Sequence, residues 1–232
     1  MLILGVETST ARGSVAVYDS DNDRVLADTF FPDEPSHARD IVPAINAIFT
    51  EGDITKEEVS GVAVSQGPGS FTGLRIGITC AKTLAYVLQW KCVGISSLEI
   101  MAHNLEPTDY ADSTVCPLRN ARRSAVYGTL YRSDGNDWVD ETGVMLDSPS
   151  AVADRLPVET LVFGDGTDAY PDVFAPPPDG SFKIGDNTLA QPNAVTVARL
   201  GNRHMSQGND VSPMELNPKY YRQTAAEDNI DS

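Results

Sequence analysis

Residues 65–77, SQGPGSFTGLRIG, hold four glycines in thirteen positions. They follow the apolar run Val62, Ala63, Val64 and lead into an apolar helical pattern that ends near Leu88. Such a turn between strand and helix is poor in side chains. It can turn backbone N–H groups and the positive end of a helix toward a ligand, which is chemistry suited to an anion. Two common nucleotide motifs are absent. A P-loop needs Lys and then Ser or Thr directly after its last glycine, whereas Leu74 and Arg75 follow Gly73. A dinucleotide fingerprint needs G-x-G-x-x-G, and residues 67–72 read GPGSFT. Ser70 does not sit in the G-x-S-x-G elbow of a hydrolase. The three histidines, His37, His103 and His204, are never within one helical turn of each other, and no HExxH motif occurs, so no metal site is expected. Thr8 and Ser9, after the first apolar run, either satisfy hairpin backbone groups or face a phosphate. With Ser70 and Arg75 they are the candidates for nucleotide or anion contact. No catalytic residue is identified.

The elements that carry these residues are legible in outline. Residues 2–6, 13–18 and 25–31 read as three strands joined by turns of hairpin length. A helix follows, with Ser36 placed to cap it and Ile41, Ala44, Ile45, Ile48 and Phe49 along one stripe. Pro43 inside it predicts a kink or a loose first turn. Next come a strand over 61–65, the glycine turn, a helix to about Leu88 and a strand over 92–95. Ser96 and Glu99 have the spacing of a capping box. This order is that of an RNase H-like half domain. The second half repeats it more weakly: strands over 115–118, 125–131 and 138–145, a helix over 150–155, a strand over 160–164 and a helix from after Pro192 to Met205. Residues 165–186, rich in Pro, Gly and Asp, read as irregular. The expected fold is therefore α/β, a duplicated RNase H-like (actin-like ATPase) fold with two subdomains of mixed sheets flanked by helices. The expected divisions are 1–103, a smaller subdomain over 104–208, and a polar tail over 209–232 that is disordered or laid along the surface.

The chain has 232 residues, 41% of them hydrophobic, and a formal net charge of −16. A surface this acidic repels phosphate backbones and argues against tRNA binding by this chain alone. Three cysteines, Cys80, Cys92 and Cys116, lack metal spacing and fit free thiols in a reducing compartment. The apolar start is too short for a signal peptide, and no run approaches the ~20 residues of a membrane span. A cytoplasmic protein is expected.

The start ILGVETST, residues 3–10, together with the glycine-rich turn closely resembles the TsaB family, also called YeaZ. Further matches follow the family order. Residues 93–99 read VGISSLE. Residues 37–43 resemble H-S-x-x-L-L-P, with Ala38 in place of Ser. Residues 120–127 resemble D-A-R-R-G-E-V-Y, with Asn120, Ser124 and Ala125 departing. Residues 218–222, PKYYR, resemble the closing P-x-Y-L-R. The matches are dense to about residue 130 and thin beyond it.

The resemblance implies an actin-like fold and a part in making threonylcarbamoyladenosine in tRNA. It implies a scaffold subunit that binds TsaD, the transferase subunit, and works with TsaE, an ATPase, with no cofactor of its own and a nucleotide at the contact with TsaD. Active actin-like kinases place Asp in the first hairpin to hold a hydrated metal. Glu7 stands there, and no Gly-Gly adenosine loop appears in the second half. TsaD holds its metal through a histidine pair that this chain lacks. An enzyme of the same fold, kinase or peptidase, and a homodimeric binding protein are the alternatives.

Gly73, Gly77 and Ala81 lie four apart on one helix face, where small residues allow a second helix to approach. Leu74, Ile78 and Ala85 flank them, and Ile41 and Ile45 lie on the preceding helix. The resemblance implies that these two helices meet the matching pair of TsaD, or of a second copy of the chain.

Overall fold

The computed structural model describes residues 1–32, 36–178 and 180–222. Three antiparallel strands open it, β1 (Leu2–Glu7), β2 (Ser14–Asp19) and β3 (Arg24–Phe30). Then follow α1 (His37–Glu51), β4 (Val59–Gly67), α2 (Phe71–Leu88), β5 (Lys91–Ser96) and α3 (Ser97–Ala102). The sheet order is β3-β2-β1-β4-β5, with β4 and β5 parallel to β1. β1 is buried along nearly its whole length because both of its faces are covered. Leu4 and Val6 face α1 and α2 in one apolar cluster with Ile41, Ile45 and Ile78. Ile3 points the other way, toward Val197 and Leu200.

The second half repeats the plan. It comprises β6 (Thr114–Arg122), β7 (Ala125–Gly128), β8 (Tyr131–Ser133), β9 (Trp138–Asp140), β10 (Met145–Asp147), α4 (Pro149–Ala153), β11 (Thr160–Phe163), α5 (Asp165–Ala169), β12 (Phe182–Ile184) and α6 (Ala194–Ser206). Its main path, β10-β7-β6-β11-β12, mirrors the first sheet strand for strand, with β6 in the place of β1. This is the duplicated RNase H-like, actin-like architecture.

The halves exchange helices. α6 comes from the second half, yet it covers the free face of the first sheet. Leu98 and Met101 of α3, from the first half, pack with Val115 and Phe163 of the second sheet. A boundary at 103/104 thus divides the sheets but not the packing, and α6 belongs energetically to the first half.

Several local expectations are corrected. The strand expected over 125–131 is two strands, β7 and β8, and the one over 138–145 is β9 and β10. Residues 165–186 are not wholly irregular; they contain α5 and β12. Ser36 and Ser96 occupy N-cap positions but make no side-chain capping bond. Glu99 turns away from its helix end to pair with His204 at 2.7 Å. α1 runs through Pro43 on its exposed side.

The expected polar tail is a strap as far as it is described; residues 223–232 lie outside the described residues. Val211 pairs with Cys92 across the β5 edge, and the Lys219 N–H donates to the Gln66 carbonyl. Leu216 between them is wholly buried in the core shared by α1 and α2.

Candidate interdomain cleft and helical face

A cleft of about 950 Å³ opens between the halves. The first half contributes the turn after β1, the start of α1 and the glycine-rich turn. The second half contributes Arg119, Asn120, Arg122, Tyr127 and Asp165. Actin-like enzymes hold nucleotide in such a cleft, so its polar groups decide what it can do.

Its phosphate-facing positions are filled by the chain itself. Ser9 is fully buried. Its carbonyl accepts from the Ser70 N–H at 2.8 Å and from Arg119 at 3.3 Å. Its hydroxyl accepts from Arg119 at 3.0 Å. The Arg119 guanidinium also donates to the Pro68 carbonyl at 3.2 Å and so ties β6 to both turns of the first half. Thr8 is fully buried, with its N–H on Ser65 Oγ at 3.2 Å. Ser70 caps α2 by accepting from the Gly73 N–H at 3.2 Å. Arg75 faces outward: it donates to the Tyr220 hydroxyl at 2.8 Å and stacks 3.8 Å above the Phe71 ring. Of the four anion candidates, only Ser9 and Ser70 line the cleft, and the hydroxyl of each already accepts one hydrogen bond from the chain. No group of three or more His, Cys, Asp or Glu converges as a metal site among the described residues.

Glu7 is turned inward. It is fully buried, and its Oε1 accepts from the Ser9 N–H at 2.5 Å. Burial raises its pKa above the ordinary 4.5, outweighing the lowering by Ser9 and Arg119. The folded state therefore holds this proton more tightly than the unfolded chain. The associated stability is complete below pH 4.5 and is lost as pH rises through the folded pKa. Glu7→Gln keeps an acceptor for Ser9 and cannot ionise. Its thermal midpoint should therefore gain on the parent as pH is raised from 5 to 8. Parallel curves would show that Glu7 carries no such penalty.

The histidines are held by other groups of the chain. His37 is buried, with Nε2 2.8 Å from the Thr10 carbonyl. His103 packs against Asp137 and Arg203, and burial lowers its pKa.

The small-residue stripe of α2 also lies elsewhere than expected. Gly73, Leu74, Gly77, Ile78, Ala81 and Ala85 are all buried within this chain, as are Ile41 and Ile45. A Cβ on Gly73 would stand 2.0 Å from the Thr8 carbonyl oxygen, and one on Gly77 2.1 Å from Thr8 Oγ1. The close approach that these glycines permit is to the β1 turn. The free face of the helix pair is a different set. Val42 of α1 and Val87 of α2 are 55% and 67% exposed, and Ile76, Cys80 and Leu84 of α2 are half-buried. The 3.6-residue spacing held this signal, but the small residues drew attention to the opposite face.

The turn joining β6 to β7 is a further feature that spacing did not reveal. Arg122 pairs with Ala125, leaving Arg123 and Ser124 as a two-residue turn. Arg122, Arg123 and Ser124 have φ of 57°, 46° and 56°. Such turns favour glycine or asparagine, and left-handed backbone costs other residues roughly 1–2 kcal/mol each. Ser124 stands where the family motif has Gly. The Arg222 guanidinium steadies this turn, donating to the carbonyls of Ala121 at 2.9 Å and Arg122 at 3.2 Å.

The relatives agree with the motifs. The tRNA threonylcarbamoyladenosine biosynthesis protein TsaB of Buchnera aphidicola (subsp. Schizaphis graminum) is 31% identical over 84% of this chain and 90% of that protein. The chain belongs to the TsaB (YeaZ) family. The Escherichia coli TsaB is 28% identical over 97% of this chain and 96% of its own length. The Bacillus subtilis TsaB is 35% identical over 57% of this chain and 56% of its own. A family model described as TsaD: tRNA N6-adenosine threonylcarbamoyltransferase matches residues 31–212. The solved structure of YeaZ from Pseudomonas aeruginosa superposes with a TM-score of 0.79, at 24% identity, over 94% of this chain and 99% of that one. It shares the fold.

Proposed function

We propose that this chain is a non-catalytic scaffold and activator subunit in tRNA threonylcarbamoyladenosine synthesis, and that it binds TsaD through the exposed face of α1 and α2. The observation that carries the reading is that apolar face. Val42 of α1 and Val87 of α2 are exposed and Ile76 and Leu84 of α2 are half-buried, so both helices keep apolar side chains that a partner can cover. The buried stripe of Gly73, Gly77 and Ala81 supports it from beneath by fixing α2 on the β1 turn. The supposed partner is the matching helix pair of TsaD, and TsaE joins through that complex. A second copy of this chain could use the same face when TsaD is absent.

The inward-turned Glu7 and the filled turn at Ser9 support the non-catalytic part of the reading. They turn the first hairpin's acid inward, away from a hydrated metal, and occupy the Ser9 carbonyl with bonds from Ser70 and Arg119. The nucleotide of the complex is then held at the contact with TsaD and not on Thr8 and Ser9. TsaD supplies the transfer chemistry, and this subunit supplies a rigid surface.

Val42→Asp with Val87→Asp tests the proposal. Both side chains are exposed, so the fold should persist by circular dichroism. Burying a valine at a contact contributes about 1.5–3 kcal/mol. At ~1.4 kcal/mol per tenfold, the pair should weaken association with TsaD by at least about 100-fold in sedimentation or calorimetry. Full-strength association by the double variant would move the interface off this face.

A further inference from the structure

A second groove, of about 480 Å³, lies between the strap and the β6–β7 turn. Arg122, Arg123, Lys219 and Arg222 line it, and among the described residues no carboxylate does. That is a marked reversal in a chain with 33 acidic and 17 basic residues. Among the described residues no carboxylate pairs with Arg122 or Lys219, and both side chains are exposed. The rest of the lining is aromatic. Tyr220 lies 5.0 Å from Phe71, and the two are 46% and 39% exposed. Tyr127 and Tyr221 face each other at 6.1 Å. The groove is built and not a chance meeting of side chains. The strap is anchored by buried Leu216, and Arg222 bonds the carbonyls of the very turn that projects Arg122.

We propose that this groove takes the backbone of an unpaired RNA segment, with phosphates at Arg122 and Lys219 and a base against the exposed rings. In the proposed complex that RNA is the tRNA substrate, so the inference deepens the scaffold reading and rests on it. Cations interleaved with stackable rings are what unstacked nucleotides require. An acidic peptide would use the cations and leave the rings uncovered. The net charge of −16 does not cancel the site. At physiological salt, charges farther than about 8 Å are largely screened, so local cations act locally. The same net charge keeps the affinity of the isolated chain low, and delivery of the RNA falls to the partner.

The test uses the complex of this chain with TsaD, first verified by sedimentation, and measures tRNA affinity across a salt series. Arg122→Ala with Lys219→Ala should weaken binding and lower the slope of log affinity against log salt by about 1.5, from roughly 0.7–0.9 per phosphate contact. Lys56→Ala with Lys183→Ala removes the same charge from exposed sites elsewhere and should leave the slope unchanged. An unaltered slope in the first pair, or equal losses in both pairs, overturns the proposal. So does loss of binding to a polyglutamate probe with tRNA binding intact, which would assign the groove to an acidic peptide. If the parent chain and TsaD fail to associate, the scaffold reading falls by itself. The groove is then judged on this chain alone with single-stranded RNA at low salt, where the first pair must still weaken binding more than the second.

Discussion

Gly77→Leu is expected to destabilise the isolated chain severely, before any partner is added. A Cβ at position 77 would sit 2.1 Å from Thr8 Oγ1 and 3.3 Å from Thr8 Cβ. Rotating the Thr8 hydroxyl relieves the first contact but not the second, and Thr8 is wholly enclosed with no room to retreat. Leucine adds three more heavy atoms beyond that Cβ. Overpacking of this kind costs typically 1–3 kcal/mol and occasionally more. The better helix propensity of leucine returns about 1 kcal/mol, so the clash must exceed that to be seen. We expect the upper end to hold, a net loss of about 2–3 kcal/mol. At 2–4 °C per kcal/mol for a chain of this size, the thermal midpoint should fall by about 4–12 °C. Gly73→Ala is the companion, because its Cβ would meet the Thr8 carbonyl oxygen at 2.0 Å, a backbone atom with no rotamer to change. If Gly77→Leu kept the parent midpoint and lost only TsaD, the stripe would face the partner after all.

The contrast between the two faces of α2 shows what the sequence could and could not say. Period and turn chemistry located β1 to β5, α1 and the end of α2 within one or two residues, because long buried elements repeat their pattern often enough to be read; α2 starts at Phe71, inside the glycine-rich stretch that reads as a turn. The second half was blurred where strands shrink to three residues, as in β8, β9, β10 and β12. A three-residue strand has no period, and Thr129 and Leu130 between β7 and β8 look like more strand. The exchange of α3 and α6 between the halves was invisible because it depends on which sheet has a bare face and not on any local pattern. The same reason explains the α2 error. The spacing of Gly73, Gly77 and Ala81 announces a close approach, but only the three-dimensional path of the β1 turn tells what approaches. The surroundings of the candidate anion residues were equally hidden: Ser70 caps α2, the Ser9 hydroxyl meets Arg119 from the second half, and Thr8 is fully buried, none of which local spacing announces. Arg122 and Lys219 are 97 positions apart in sequence and meet only through the strap.

Leu216→Asp should release that strap and leave most of the domain standing. Among the described residues of the strap, Leu216 is the one fully buried apolar side chain, and it lies in the same cluster as Ile45, Ile78 and Cys92. Truncating a buried leucine costs about 2–5 kcal/mol, and an ionised carboxylate cannot remain in that cluster unpaired. The remaining ties of the strap lie near the surface: Val211 on Cys92, Lys91 with Asp210, Gln66 and Lys82 with Asn217, the Lys219 amide on Gln66, Phe71 and Arg75 with Tyr220, and Arg222 on the β6–β7 turn. Undocking therefore costs less than global unfolding, and the strap should open as a unit. The thiols report it. Cys92 is fully buried and its thiol donates to the Val211 carbonyl at 3.2 Å, so it is shielded by the strap itself. Cys80 is half-exposed on α2, although burial pushes its thiol up to about 11 and slows it. Cys116 lies inside the second sheet, its thiol pushed up to about 12. The parent should label at Cys80 alone in native buffer. Leu216→Asp should label at Cys80 and Cys92 while Cys116 stays protected. Protection of Cys92 in the variant would mean that the backbone bonds hold the strap without its anchor. Simultaneous labelling of all three would mean that the strap and the core unfold together, and that the first sheet depends on this edge far more than its own packing suggests.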